Sequence, residues 1–503
     1  MMSFSNVPKF HHSIIPAVAV LLLGLLVAQA IATLHVYFSN AELHRSLLML
    51  KEAGYLIVPN QHILPRLLSF KAAFWGGLFF TLTVGVFLTF LSWSASWAWK
   101  NLFRGNRLFL FFCLLSWLTA LILVNGKAFC LMITLYFLFI PAAVFLSAAK
   151  LRAHGSTTGS PRKLLLLIPF LILILLWGTQ AKSHFFLNLR DRLLLSTSLG
   201  TKVSDFYYDY AYYPAEAFKS LDQKLLRSCS IESLQRKPVE QALERTLLAY
   251  DYLPVRESRA PLDLMVREEG GGLLFQHRGK TLLKTSLQEF TANPGKLLSE
   301  FSRGVDTCSP FRSVTLFSLL VSLPLVLYGI GFGVFYLVLS LLLSPKTSAW
   351  MASILCLLLG TALLFYVQER PKDLSMDPAD ALASDRWETR VAALKFIEKK
   401  NLDVGDFEAY QKVLKTPHIA ERYWLARALG VSRRTSTFRD LLGFLDDPNA
   451  PVVSMAFYSL GQRKDPRAVQ EILKRIEASH DWYNQWYAYK ALRSLGWKQS
   501  RSR

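Results

Sequence analysis

Residues 205–218 contain a concentration of tyrosines, in the stretch DFYYDYAYYPAEAF. Five rings in such a run could stack on flat ligands such as sugars, form an aromatic belt at a membrane surface, or build the core of a small domain. The tyrosines are Tyr207, Tyr208, Tyr210, Tyr212 and Tyr213. We expect structural packing of these rings, because tyrosine joins an apolar ring to a polar tip, and we keep a partner or ligand surface as the alternative.

Groups that could catalyse a reaction are sparse around this run. Asp205 and Asp209 would share one face of a helix, but no second acid pair accompanies them, and general acid–base catalysis needs a positioned partner. His184 and His277 have no companion at the spacing of metal ligands. The glycines at 270–272 precede no helix start that could hold a phosphate. The sequence therefore predicts no catalytic residue, no metal site and no cofactor, and a protein that is not an enzyme.

Two cysteines could form a structural disulfide. Cys229 and Cys308 are the only cysteines of residues 181–312. Two cysteines in an exported domain suggest a structural disulfide, which an oxidising compartment would allow to form. The alternative is two unrelated buried thiols. The remaining cysteines lie in apolar runs, where we expect them to be packing residues: Cys113, Cys130 and Cys356.

The composition is that of a membrane protein. Hydrophobic residues make up 52% of the 503 residues, and the mean hydropathy is +0.28. Apolar runs of about 17–25 residues can cross a lipid bilayer as helices, in which every backbone amide is paired. Such runs lie near residues 14–36, 72–95, 107–125, 128–149, 163–180, 313–343 and 349–367. We therefore predict a polytopic α-helical membrane protein with about seven transmembrane helices.

The basic charge of the chain fits a membrane protein better than a nucleic-acid partner. The net charge is +21, but much of it lies in loops beside the apolar runs, and the rest is interspersed with acids. Lys100, Arg104 and Arg107 follow the second run, and the loop at 150–163 is also basic. Because Lys and Arg collect in cytoplasmic loops, we predict a cytoplasmic N-terminus and extracytoplasmic residues 181–312, in a bacterial inner membrane.

Two apolar runs allow more than one interpretation. The first ends in a small-residue pattern typical of a cleaved signal peptide, but it continues to Val36, so we favour a retained anchor. The sixth, 313–343, contains Pro324 and three spaced glycines, which indicate a kinked or closely packed helix. A re-entrant hairpin there is the alternative. One crossing would place the C-terminal domain on the extracytoplasmic side, and a hairpin would move it to the cytoplasm.

Residues 37–71 and 181–312 carry the remaining local signals. The stretch SNAELHRSLLMLKEAG predicts a short amphipathic helix that ends at Gly54. In 181–312, the spacing of apolar residues predicts a helix that begins at Pro214 and carries Cys229 on its buried face, and a second helix after Pro238. Two strands around the glycines at 270–272 complete a predicted α+β domain.

The C-terminal region repeats at intervals of about 31 to 35 residues. RYWLARALG, SMAFYSLG and YKALRSLG end at Gly430, Gly461 and Gly496, with further helices between them. The stretch DDPNAPVVSMAFYSLGQRKDPRAVQEILKRI resembles a HEAT repeat of the type also found in phycobilisome-lyase-like proteins, and the resemblance covers roughly residues 384–497. It implies an α-solenoid of the armadillo type that binds a protein partner, and it implies no lyase activity.

The last of these repeats is rich in aromatic residues. Packing between repeats or capping of the solenoid would account for them, and a partner surface is the functional alternative, because aromatic residues are enriched at binding hot spots. The residues are Trp482, Tyr483, Trp486 and Tyr487.

These observations predict five regions. They are a membrane region at 1–180 with about five transmembrane helices, the extracytoplasmic α+β domain at 181–312, two further transmembrane helices at 313–368, a linker at 369–383, and the HEAT-like repeats at 384–503. We predict a multi-pass membrane scaffold or assembly protein that binds a protein partner. The alternative is a transport or export component, not coupled to ions, for a lipid, a glycan or another neutral substrate.

Overall fold

The computed structural model describes residues 11–153, 168–180, 183–232, 237–255, 261–368 and 377–501. The chain divides into two compact units. The first comprises Met1–Phe38, Phe70–Lys182 and Asp306–Tyr366, and the second comprises Ser39–Ser69, Ser183–Val305 and Val367–Arg503.

Helices dominate the described residues. They are α1 (His11–Glu52), α2 (Phe70–Phe80), α3 (Val86–Asn101), α4 (Arg107–Val124), α5 (Leu131–Ala153), α6 (Ile168–Thr179), α7 (Ser183–Leu189), α8 (Ser198–Tyr210), α9 (Tyr212–Phe218), α10 (Lys237–Ala249), α11 (Leu287–Ala292), α12 (Pro294–Val305), α13 (Ser309–Leu339), α14 (Pro345–Gln368), α15 (Pro378–Ala383), α16 (Trp387–Lys400), α17 (Tyr410–Val413), α18 (Ile419–Val431), α19 (Thr435–Gly443), α20 (Ala450–Arg463), α21 (Ala468–Ala478) and α22 (Trp482–Ser494). The strands are β1 (Arg227–Glu232), β2 (Tyr252–Pro254), β3 (Leu264–Glu269), β4 (Gly272–His277) and β5 (Lys280–Thr285).

Among the described residues, six helices are long and apolar enough to cross a membrane, by length and composition. They are Pro16–Glu52, Phe70–Asn101, Arg107–Val124, Leu131–Lys150, Ser309–Leu339 and Pro345–Gln368. They correspond to six of the seven predicted runs. The seventh, predicted at 163–180, is described only from residue 168 onward, where α6 is a shorter apolar helix.

Two of the local predictions need correction or refinement. The amphipathic helix predicted before Gly54 is not separate, because α1 continues unbroken to Glu52; the predicted end is right, and Gly54 follows with a φ of 84°. The sixth run is one helix, α13, which continues through Pro324, so the predicted single helix is formed and the hairpin alternative is not.

Close approach of backbones holds the first unit together. A Cβ atom at Gly77 in α2 would lie 2.9 Å from the amide nitrogen of Thr33 in α1, so only glycine fits there. A π-helical turn, Thr81–Gly85, separates α2 from α3, and the Ser322 hydroxyl of α13 donates to the Thr83 carbonyl in this turn at 3.0 Å. These helix contacts are therefore made by small residues rather than by large hydrophobic side chains.

Helix α6 packs against the last two helices of the first unit. The rings of Phe170 and Tyr328 have centroids 5.0 Å apart. The Trp177 indole donates to the Gly360 carbonyl at 3.2 Å, and a Cβ at Gly360 would lie 2.7 Å from the Leu173 side chain. Helix α6 is therefore an integral member of this helical unit despite its short described length.

A five-stranded mixed sheet lies in the second unit, with the strand order β2-β1-β3-β4-β5. Strand β1 is parallel to both β2 and β3, whereas β3, β4 and β5 form an antiparallel meander. The parallel β1–β2 pair requires a crossover, which α10 supplies. Helices α10, α11 and α12 bury apolar residues against the sheet, among them Leu243, Phe290 and Phe301. The α+β composition, the helix after Pro238 and the strands around the glycine turn are as the sequence predicts.

Cys229 is placed differently from the prediction. The helix that contains Pro214 ends at Phe218, and Cys229 lies in β1, between two neighbouring strands. Its side chain is fully buried in the core of the sheet. Cys229 and Cys308 are both free cysteines in the structure, and the two alternatives for this pair, a disulfide and two separate thiols, stay predictions.

The C-terminal helices stack in successive pairs. Helices α16, α18, α20 and α22 lie side by side, and α19 and α21 are the second helices between them. An arginine near the start of one repeat binds an acid in the next: Arg390 pairs with Glu421, and Arg422 pairs with Asp447 at 2.6 Å. The first repeat is irregular, because α17 has only one turn.

The three segments of the second unit are joined by hydrogen bonds far apart in sequence. The Asn60 side chain donates to the carbonyl oxygens of residues 476, 477 and 479 at the end of α21, each at 3.0 Å. The Tyr489 hydroxyl of α22 donates to Asp251 at 2.6 Å. The α+β region and the repeats therefore lie in one compact unit together with residues 39–69.

Candidate functional site

The repeats carry a groove with a volume of about 520 Å³. Helix α20 contributes the middle of its lining, and its neighbours α18 and α22 contribute the two sides. The lining residues are Tyr423, Arg427, Met455, Tyr458, Gly461, Gln462, Trp486, Tyr487, Lys490, Ala491 and Ser494. Four of the side chains are aromatic, two are cationic and none is acidic.

Ring contacts within the groove fix its aromatic surface. Trp486 and Tyr487 pack edge to face with centroids 4.9 Å apart, and Tyr483 contacts Tyr487 at 5.3 Å. The Tyr458 hydroxyl accepts a hydrogen bond from the Gln462 amide at 2.6 Å. These side chains are half-buried or exposed, so their outer faces remain open to a ligand.

The two cations of the groove have different surroundings. Arg427 pairs with Glu398 at 2.5 Å and lies over the rings of Trp424 and Tyr458, at 4.9 and 5.6 Å. Lys490 lies over the ring of Trp486 at 3.7 Å. Burial lowers the pKa of Lys490, and the nearby charge of Lys219 lowers it further. Lys490 is thus the cation whose charge is least compensated.

A buried carboxylate supports one wall of the groove from behind. Asp191, in the π-helical turn Arg190–Leu194, accepts a hydrogen bond from the Trp424 indole at 2.8 Å and pairs with Lys395 at 2.8 Å. The neighbouring Arg190 also pairs with Asp191 and lies 3.9 Å from the centroid of the Tyr423 ring. The position of Tyr423 and Trp424 therefore depends on residues outside the repeats.

The two aromatic surfaces predicted from the sequence meet each other. Tyr212 lies 3.8 Å from Trp482, centroid to centroid, and Tyr208 lies 4.6 Å from Tyr483. Tyr212, Tyr213 and Trp482 are buried, as the packing interpretation predicts. Tyr208, Tyr210, Tyr483, Trp486 and Tyr487 are half-buried, and Tyr207 is 56% exposed. Part of each predicted surface is therefore core, and part remains accessible.

Burial also decides the protonation of Tyr212 and Tyr213. It raises the pKa of Tyr213 to about 12 and raises the pKa of Tyr212 well above its ordinary value, where neighbouring Glu216 acts in the same direction. The hydroxyls stay protonated at neutral pH and can donate hydrogen bonds, but they cannot act as bases.

The other candidate residues of the sequence are not assembled into a site. Asp205 and Asp209 are exposed on α8, and His277 contacts the Asp263 carbonyl oxygen at 3.0 Å. Within the described ranges, no group of three His, Cys, Asp or Glu side chains could hold a metal ion.

The sequence interpretation missed Arg427, Tyr458 and Lys490. These residues lie about one repeat period apart, on α18, α20 and α22. A column of large residues at equivalent positions of successive repeats is the signal that would have found them, because such positions fall on one face of a solenoid.

Comparison with known families matches residues 408–493 to HEAT repeats. Comparisons of the chain with curated proteins and with solved structures gave no match. HEAT repeats generally mediate protein–protein interactions, and the matched residues include most of the stacked helices and nearly the whole groove. The C-terminal region of this chain, over residues 408–493, is a HEAT-repeat region.

Proposed function

We propose that the chain is a multi-pass membrane scaffold that binds a protein partner in the groove of its HEAT repeats. The groove is the observation that carries the proposal. It lies within a repeat type that generally mediates protein–protein interactions, and it presents Trp, Tyr and Arg, the residues most enriched at binding hot spots. Binding rather than catalysis is its role.

The membrane part of the proposal is supported by the surface of the long helices. Helix α4 exposes large apolar side chains, among them Leu118, Ile122 and Leu123, which are at least half exposed. Exposed apolar surface of this extent is costly in water and is expected in lipid.

The composition of the second unit supports one topology. Residues 39–69 and 183–305 pack in the same unit, so they must lie on the same side of a membrane, and an even number of crossings must separate them. Three long apolar helices lie between them, and α6 supplies the fourth crossing. Helices α13 and α14 then return the chain to the same side for the repeats. The basic loops between the spans favour the extracytoplasmic side for all three segments.

Site-specific photocrosslinking in native membranes tests the proposal. A photoreactive phenylalanine derivative at position 458 should yield a discrete crosslinked protein, and the same derivative at position 474, on the exposed surface of α21, should not. Trp486→Ala should reduce the crosslink from position 458. If the folded chain gives no discrete product at position 458, the groove is not a protein-binding site.

A further inference from the structure

The side chains of the groove narrow the chemistry of the partner. We infer that the groove holds an extended, acidic peptide segment, with carboxylates at Lys490 and Arg427 and with the peptide backbone against the aromatic rings. This inference rests on the proposed protein-binding function and adds to it the class of segment that is bound.

Charge complementarity is the first argument. The lining contains two cations and no carboxylate. Lys490 faces the groove from α22 and Arg427 from α18, so the two positive charges lie on opposite sides of α20. A ligand that spans the groove meets positive charge at both sides.

The surroundings of Lys490 strengthen this argument. Among the residues that the structure describes, no acidic side chain forms an ion pair with Lys490, whereas Arg427 has Glu398. The ammonium group lies over the Trp486 ring and near Lys219, and its pKa is lowered in consequence of burial and of that second charge. Because Lys490 is exposed over the Trp486 ring and has no ion pair among the described residues, an incoming carboxylate can form a charge-assisted hydrogen bond that no side chain of the groove already makes.

The dimensions of the groove favour a peptide over a compact ligand. The groove crosses three neighbouring helices. Packed helix axes lie about 8–10 Å apart, so the groove is roughly 20 Å long. An extended chain rises about 3.3 Å per residue, so roughly six residues fit across it. Two carboxylates of one such segment can reach both cations.

The aromatic rings supply the remaining contacts. Tyr458 and Trp486 offer faces and edges that pack on aliphatic side chains and peptide planes at low cost in conformational entropy. A neutral sugar could stack on the same rings, but it would leave the Lys490 charge uncompensated. The cations therefore distinguish an acidic peptide from a neutral ligand.

Binding of defined peptides to the purified full-length chain tests the inference. The probes are fluorescent peptides of alternating glutamate and alanine, with glutamine–alanine and lysine–alanine peptides of the same length as controls, and oligothymidylate as a different polyanion. We expect the glutamate peptide alone to bind, and its affinity to fall as the salt concentration rises. Lys490→Gln should weaken binding about tenfold, or 1.4 kcal/mol, while Lys490→Arg and the surface control Lys474→Gln should preserve it.

The outcomes separate this inference from the proposed function. Equal binding of the glutamine peptide or of oligothymidylate, or no effect of Lys490→Gln in a chain with an unchanged melting temperature, overturns the acidic-peptide assignment. If position 458 still crosslinks to a protein, the scaffold function stands with a different recognition chemistry. Absence of that crosslink removes the proposed function itself.

Discussion

The indole of Trp482 lies against the ring of Tyr212, with 3.8 Å between the ring centroids. Trp482 begins α22, the last helix of the repeats, and Tyr212 begins α9 in the segment before the sheet. Both side chains are less than a tenth exposed. The contact joins two parts of the second unit that are distant in sequence, the tyrosine run and the aromatic last repeat.

Truncation of Trp482 should therefore destabilise the whole second unit. We expect Trp482→Ala to lower the free energy of unfolding by about 3 kcal/mol, because it removes a large buried ring. Trp482→Phe should cost much less, since the indole nitrogen has no hydrogen-bond partner among the residues that the structure describes. Urea unfolding in detergent, followed by circular dichroism, measures both. Trp486→Ala, in the half-buried groove, is the control, and an equal loss in that variant would contradict the assigned role of Trp482.

Asp191 should be needed for stability although it lies far from the repeats in sequence. The buried carboxylate of Asp191 binds the Trp424 indole, Lys395 and Arg190, so Asp191→Ala leaves a buried indole donor and two half-buried cations without their partner. We expect a loss of about 3 kcal/mol in the free energy of unfolding. The Asp465–Arg467 pair, whose arginine side chain is 60% exposed, provides the comparison, and Asp465→Ala should cost less than about 1 kcal/mol. Similar melting temperatures for the two variants would show that Asp191 is not a buried anchor.

The repeats and the long apolar helices were predictable because their signals are local and periodic. The strand that contains Cys229 was not, because Phe218, Leu221, Leu225 and Cys229 also fit the spacing of a helix face. A buried parallel strand lacks the alternation that identifies an exposed strand.

The assembly of the second unit could not be predicted either. Asn60 carries no local signal for its three hydrogen bonds to the end of α21, since these partners are more than 400 positions away in the chain. Of the residues that line the groove, the sequence singled out Trp486 and Tyr487 of α22, whereas Tyr458 and the cations require the stacking of three repeats.

Cys229 should be a free but unreactive thiol in the folded chain. It is fully buried in the sheet, and burial raises its pKa well above the ordinary value, so little nucleophilic thiolate forms. An alkylating reagent should modify Cys229 only after unfolding, and no reductant should be needed. Mass spectrometry of the digested protein checks both points. Recovery of a peptide in which Cys229 is linked to Cys308 would restore the disulfide.

Asp263 should make the second unit sensitive to acid. Burial raises its pKa, but the ion pair with Lys224 and a hydrogen bond from the Ser228 amide lower it more, so the pKa of the folded state lies below its usual range. A lowered pKa gives stability that is present above the unfolded pKa, about 4, and is lost as the pH falls through the folded pKa. Asp263→Asn should cost about 2 kcal/mol at neutral pH and should flatten this acid dependence.

Melting temperatures measured from neutral to acidic pH test this expectation. Glu232→Gln is the control, because the Glu232–Arg267 pair joins the neighbouring strands β1 and β3 but is exposed on both sides. It should leave the pH profile almost unchanged. An Asp263→Asn profile that runs parallel to that of the unmodified chain would mean that another group titrates.

The proposed topology predicts on which side of the membrane cysteines introduced at exposed positions should lie. Glu52→Cys, Lys284→Cys and Lys474→Cys lie in the three segments of the second unit, and Arg104→Cys lies between α3 and α4. In intact cells, an impermeant maleimide should label the first three above the background of the native thiols. It should label Arg104→Cys only after permeabilisation. If only one of positions 52 and 284 is labelled in intact cells, α6 does not cross the membrane. If Arg104→Cys is labelled in intact cells and the other three cysteines are not, the orientation is reversed and the number of crossings is unchanged.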